Sequence, residues 1–205
     1  MIRKSLLSFA VIAAGLSSSA FADTIATFAD PASGPSTPLF SWDSVTTTLT
    51  GGWATTGLNL LTPGVPAPDY SDATFTMTPL VQTATFSGIV LLNGGTFRFF
   101  DSGATEVLRI DFSSAVLTSS LSLGASDLTA NNVTFSGSMI PLGATLSAES
   151  FAFSFANPVQ TGQTGLPPSF TVTSAFTSSA TIVIPTPGAA ALLGLGGLMA
   201  VRRKR

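Results

Sequence analysis

Cysteine is absent from this chain, and so is histidine. Without cysteine there is no disulfide, no thiolate metal site and no thiol nucleophile. Without histidine the chain lacks the commonest general base and the commonest metal ligand. Charge is scarce as well: Asp, Glu, Lys and Arg make up 9% of 205 residues, against about a quarter in an ordinary soluble domain. Six of the eight basic residues are terminal (Arg3, Lys4, Arg202, Arg203, Lys204 and Arg205), so residues 23–184 hold only Arg98 and Arg109 against ten carboxylates, a net charge of −8. No lysine stands in that region, which removes a Ser–Lys catalytic pair. A surface this acidic repels phosphate backbones, which argues against nucleic acid as a partner, and it avoids anionic membrane surfaces.

The two ends carry the clearest signals. Arg3 and Lys4 precede an apolar stretch, Leu6–Leu16, of 11 residues, and Ala20-Phe21-Ala22 follows. A charged start, a short apolar run and an A-x-A site are the three parts of a secretory signal peptide. The run is too short for the roughly 20 apolar residues that span a bilayer. Residues 1–22 are therefore expected to be removed by signal peptidase after passage through the Sec translocon, with Ala20 and Ala22 as the small residues before the cut and Asp23 as the new N-terminus.

At the other end stands Pro185-Thr186-Pro187-Gly188, then the apolar segment Ala189–Val201, then Arg202-Arg203-Lys204-Arg205. The prolines end any strand and hold the entry extended. The apolar segment, with Ala189, Leu192, Leu193, Leu195, Leu198 and Val201, has 13 residues. That is about 20 Å as a helix, against a hydrocarbon core of about 30 Å. The basic cluster stays on the cytoplasmic side by the positive-inside rule. Export is expected to pause with this short hydrophobic helix in the inner membrane, where a membrane enzyme can act near the prolines.

This arrangement resembles a PEP-CTERM sorting signal, with Thr186 where the usual motif carries Glu. The resemblance covers about the last 21 residues. It implies that residues 185–205 are a sorting tail, that the processing partner is an exosortase-like membrane enzyme of a Gram-negative bacterium, and that the product reaches the cell surface or an extracellular matrix associated with exopolysaccharide and biofilm.

Between the ends, period-2 alternation recurs where no 3.6-residue period is sustained. Leu108, Ile110 and Phe112 share a face opposite Arg109 and Asp111. Phe151, Phe153 and Phe155 share another, and Phe170, Val172, Phe176, Ile182 and Ile184 a third. Thr and Ser fill the alternate positions, as suits a pleated surface. Asn93-Gly94-Gly95 and Ser102-Gly103 suit hairpin turns, and Asp30–Pro38, Pro63–Asp72 and Gln160–Pro168 read as loops. The 16 Phe residues supply most of the core volume. The expectation is an all-β chain whose residues 23–184 form a single antiparallel β-sandwich, jelly-roll or Ig-like.

Within that domain the sequence marks no catalytic residue, no metal ligand and no cofactor. Glu106 and Glu149 are the candidates for a two-carboxylate glycan hydrolase; their ordinary role is on a solvated strand face. Asp69 and Asp72 could offer oxygens to Ca²⁺, yet an Asp-capped turn explains them as well. Trp42, Trp53 and Tyr70 could stack on sugars, which makes a carbohydrate-binding module the alternative, although core packing is their commoner use. The leading expectation is a non-enzymatic surface or matrix protein.

Overall fold

The computed structural model describes residues 22–86, 89–118, 127–165 and 167–184. Among them are eleven strands and no helix: β1 Ala22–Phe28, β2 Phe40–Asp43, β3 Thr48–Trp53, β4 Thr74–Met77, β5 Leu80–Phe86, β6 Ile89–Phe100, β7 Glu106–Thr118, β8 Asp127–Asn131, β9 Thr134–Ser136, β10 Thr145–Gly165 and β11 Pro168–Val183. Every pairing is antiparallel.

The expected sandwich, whether jelly-roll or Ig-like, is not what forms. Following hydrogen bonds from β6 through β5, β3, β2, β11, β10, β8 and β7 leads back to β6, so eight strands close into a barrel. A sandwich and a barrel both give each strand one apolar face; only the pairing of the outermost strands separates them, and alternation does not record it. The expected C-terminal helix falls in residues 185–205, outside the described residues.

Two walls of the barrel are single strands broken in the middle. β4 and the start of β5 lie on β6 in one register, interrupted at Thr78-Pro79, where proline has no N–H for the ladder, and the register shifts by one residue between Gln82 and Ala84. β8 and β9 share one register on β7 and part at Asn132, whose φ is +51°. β11 serves two partners along one edge: Phe170–Val172 pair with β2, and Phe176–Thr181 pair with β1.

Asn93-Gly94-Gly95, expected as a turn, lies inside β6, with Asn93 opposite Ser114 and Gly95 opposite Phe112. None of the three takes a positive φ. A Cβ on Gly94 would sit 2.6 Å from the Phe112 carbonyl oxygen, so glycine here permits close approach of two strands rather than a reversal. The inward positions change phase across it, from Val90 and Leu92 to Phe97 and Phe99, which is how a strand bends around a narrow barrel. The β6–β7 reversal is at Asp101–Ala104, as expected, where Asp101 Oδ1 accepts the Gly103 and Thr105 N–H groups at 2.9 and 2.8 Å. Gln160–Gly165, expected as a loop, continues β10.

Phenylalanine fills the lumen. Phe153 is fully buried, with ring centroids 4.8 Å from Phe97 and Phe176 and 5.0 Å from Phe40. Phe28, Phe75 and Phe151 complete its surroundings within 6.2 Å. Such aromatic pairs add about 0.5–1.5 kcal/mol each beyond their burial, and an eight-stranded barrel leaves room for little else inside. The wall shows Thr50, Thr76 and Thr177 to solvent. This polarity is the reverse of a lipid-spanning barrel, which carries its apolar residues outside. No helix among the described residues is long and apolar enough to cross a membrane.

The barrel has two unlike poles. One gathers Ala22, Val183, the Asp101–Ala104 turn and the start of β10; the other gathers the 44–47 turn and the ends of the β5–β6 and β10–β11 hairpins. Phe153→Ala is expected to lower stability by about 3–5 kcal/mol, the usual cost of emptying a buried Phe position. Phe86→Ala, at a side chain 78% exposed, is expected to change stability by less than about 0.5 kcal/mol. Urea unfolding of both variants measures the contrast.

Candidate functional site

The three amphipathic aromatics are placed by their strands. Trp42 points inward from β2 and is 1% exposed, and its indole N–H donates to the Pro167 carbonyl at 3.2 Å. Trp53 ends β3 opposite Phe75 and is 9% exposed; its indole N–H has no hydrogen-bond partner among the described residues. Neither ring offers a face on which a sugar could stack. Tyr70 alone of the three is half-exposed, in the 58–73 segment that caps one pole, where its backbone bridges to Leu60. Burial pushes its phenol pKa up, and the nearby Asp101 carboxylate adds to the rise.

The candidate carboxylates hold structure together. Glu106 pairs with the Arg98 guanidinium, which also lies 5.2 Å from the Phe100 ring centroid. Glu149 Oε1 accepts the Phe135 N–H at 2.9 Å and so fastens β9 to β10. Asp69 Oδ1 accepts the Thr62 N–H at 2.8 Å, closing the Thr62–Asp69 loop, while the Thr62 hydroxyl donates to the Ala67 carbonyl at 2.8 Å. Asp72, at φ +53°, accepts the Gly57 N–H at 2.8 Å. Asp43 accepts the Val45 N–H and the Thr46 hydroxyl, which hold its carboxyl below the usual range. These are turn and strand fastenings, with oxygens aimed at backbone N–H groups, the Thr46 hydroxyl and the Arg98 guanidinium rather than gathered around one point. No group of three carboxylates is placed to hold a metal ion among the described residues.

One charge arrangement escaped the sequence reading. Arg98 and Arg109 stand directly opposite each other on β6 and β7. Like charges so placed repel, and each is answered by its own acid: Glu106 for Arg98, and Asp111 for Arg109 at 2.8 and 3.1 Å. Asp111 also accepts the Thr96 hydroxyl at 2.6 Å. The Arg109 hydrogen bonds, joined by Thr96, hold the Asp111 carboxyl below the usual range. All of the positive charge of residues 23–184 is thereby spent on its own wall. The i, i+2 spacing of Arg109 and Asp111 on one strand face was visible; the opposition to Arg98 was not, because register is a tertiary property.

One polar depression joins Thr55, Thr56, Asp72, Thr74, Asp101 and Ser102 in an open groove of about 350 Å³. It contains two carboxylates, and both already accept backbone N–H groups. The arrangement supplies neither an activated nucleophile nor a general base with a partner.

The residues expected to be processed lie at the edge of what is described. Ala22 and Asp23 open β1, opposite Thr181 and Ala180 of β11. Ala20 lies outside the described residues, as do Pro185, Thr186, Pro187 and Gly188, the segment with Ala189, Leu192, Leu193, Leu195, Leu198 and Val201, and the cluster Arg202, Arg203, Lys204 and Arg205. The strand pairing brings Ala22 and Thr181 to one pole, with three residues between Thr181 and Pro185 along the chain. Comparison with protein-family models, with curated proteins and with solved structures finds no match to this chain.

Trp42→Ala is expected to destabilise the barrel by about 3–5 kcal/mol, seen as a lowered urea midpoint before any effect on glycan binding is measured. Asp111 has a depressed folded pKa, so its contribution is present above the ordinary Asp value of about 3.9 and is lost as pH falls through the folded value. Asp111→Asn is therefore expected to flatten the acid limb of stability against pH below about pH 4, as read from urea midpoints across that range.

Proposed function

We propose that this chain is an exported, non-enzymatic cell-surface or matrix protein of a Gram-negative bacterium, sorted through its C-terminal tail. Its partners in this reading are the Sec translocon, signal peptidase and an exosortase-like membrane enzyme, with exopolysaccharide as the surroundings it enters. The observation that carries the reading is the pairing of Ala22 with Thr181. The strand that follows the signal peptide lies beside the strand that precedes the tail, so a barrel stalled in the membrane by residues 185–205 would stand on one pole. The solid Phe lumen and the structural use of the carboxylates support a role without catalysis.

The order of events follows from the same pairing. Signal peptidase needs residues around Ala22 extended and accessible, whereas β1 in the barrel is hydrogen-bonded to β11. Because β11 is the last strand among the described residues, this reading puts the cut before β1 docks on β11.

Deleting residues 185–205 is expected to divert the protein from the cell surface into the periplasm or the medium. Fractionation of native-host cells, with intact-mass measurement of the product, checks it. Surface delivery that survives the deletion, or a cytosolic product ending in Arg205, would sink the proposal.

A further inference from the structure

The eight strands whose hydrogen bonds close the barrel do not include β1. β1 lies instead in a slot. On one side Phe176–Thr181 of β11 pair with it. On the other, Leu61 exchanges two backbone bonds with Thr27, at 2.9 and 2.8 Å. The chain then runs to β2 through residues 29–39, which hold Pro31, Pro35 and Pro38, and is fastened to the wall again where the Leu39 N–H donates to the Val172 carbonyl at 2.9 Å.

Each wall of the slot carries a residue that β1 explains. Ser178 faces the phenylalanine core and is 1% exposed, a position where an apolar side chain is the ordinary occupant. Its hydroxyl accepts the Ala26 N–H at 3.1 Å and donates to the Ala26 carbonyl at 2.9 Å. This contact sits at the bulge where the ladder skips Ile25, between Thr24 and Ala26, and so pins the register of β1. On the opposite wall, Gly64 takes no positive φ, so its own backbone does not ask for glycine. A Cβ there would stand 2.5 Å from the Thr24 carbonyl oxygen and 2.8 Å from the Asp23 Cβ. The missing side chain is the space that β1 occupies. That wall is braced without β1: the Thr62 N–H donates to Asp69 Oδ1 at 2.8 Å, and the Thr62 hydroxyl to the Ala67 carbonyl at 2.8 Å.

β1 buries Ile25, Ala26 and Phe28. Four of the rings around Phe153, those of Phe40, Phe97, Phe151 and Phe176, come from strands of the closed circuit. The circuit therefore has an aromatic core of its own.

We propose that β1 is a separately seating strand: it leaves and re-enters the slot between β11 and the Thr62–Val65 loop, hinged on residues 29–38, while the eight-strand circuit stays closed. Ser178 makes the empty slot tolerable, because its hydroxyl bonds water when Ala26 departs. Phe28 and the Ser178–Ala26 contact return the strand to one register. Opening in this way is a sub-global event, lower in free energy than unfolding of the circuit. It leaves residues 22–28 extended and accessible on a folded barrel. The inference goes beyond the sorting proposal and does not depend on whether residues 1–22 are removed.

Native-state hydrogen exchange in low urea, on protein recovered from cells expressing the full chain, tests it. The Ala26 and Thr27 amides are expected to exchange at least about tenfold faster than those of Phe97 and Ile110, with a weaker dependence on urea; Phe97 and Ile110 are flanked by strands on both sides. Thr27 turns both its backbone groups to Leu61, so Thr27 and Thr177 form a non-hydrogen-bonded pair, whose closer spacing suits a disulfide. In this cysteine-free chain, oxidised Thr27→Cys/Thr177→Cys is expected to slow Ala26 exchange to the rate at Phe97 in the same protein, and reduction to restore the wild-type rate. Gly64→Ala, which crowds the slot, is expected to speed Ala26 exchange at least about tenfold. The inference is overturned by wild-type Ala26 and Thr27 amides that share the rate and urea dependence of Phe97 and Ile110, by an oxidised pair that leaves Ala26 exchange unchanged, or by no effect of Gly64→Ala. The wild-type comparison decides alone where a variant does not fold.

Discussion

Closure of the sheet around a phenylalanine lumen is the constraint on which the rest depends. A chain with no disulfide, no metal cluster among its described residues and few ion pairs must take its stability from burial. Eight strands make a cylinder whose interior is about as wide as facing side chains can fill, and Phe is the residue that fills it without a polar atom to satisfy. Phe153, touched by rings from β1, β2, β4, β6, β10 and β11, is where these walls meet. The same closure removes most exposed strand edges, so Thr and Ser can coat the wall in place of the charges that open sheets use for protection.

From that closure follows the division of labour between poles. β11 gives one edge to both β2 and β1, and this brings the first described strand beside the last. The pole with Ala22 and Val183 also receives the capping segment 58–73 and most of the acids. The opposite pole receives the ends of three hairpins, with Asp43 and Asp127 as its acids. Six rings pack around Phe153 at the centre of the lumen.

Much of the wall was legible from residue order. The alternations Leu108-Ile110-Phe112, Phe151-Phe153 and Phe170-Val172-Phe176 do face the core, and Arg109 and Asp111 do face out. The Asp101–Ala104 reversal was legible too, because Asp and Gly there bond locally. The Asn93-Gly94-Gly95 turn was misread for an instructive reason: glycine suits both a reversal and a close crossing of strands, and only the carbonyls of Phe112 and Ser113 pressed against Gly94 decide which. Trp42 and Trp53 were weighed as a sugar platform because an indole reads alike on a surface and in a core. The Pro167 carbonyl that accepts from Trp42 is 125 residues away.

Residue order alone determined the strand character of most described residues between 23 and 184, which faces are apolar, and the excess of acid. These are properties of neighbours along the chain, expressed by period, propensity and composition. Tertiary structure decided that the sheet closes, that Glu106 and Glu149 serve as fasteners, that both indoles are buried, and that Ala22 lies beside Thr181. Each of those depends on which distant strands share hydrogen bonds, and two sheets with identical alternation can differ in that pairing while every local preference stays satisfied.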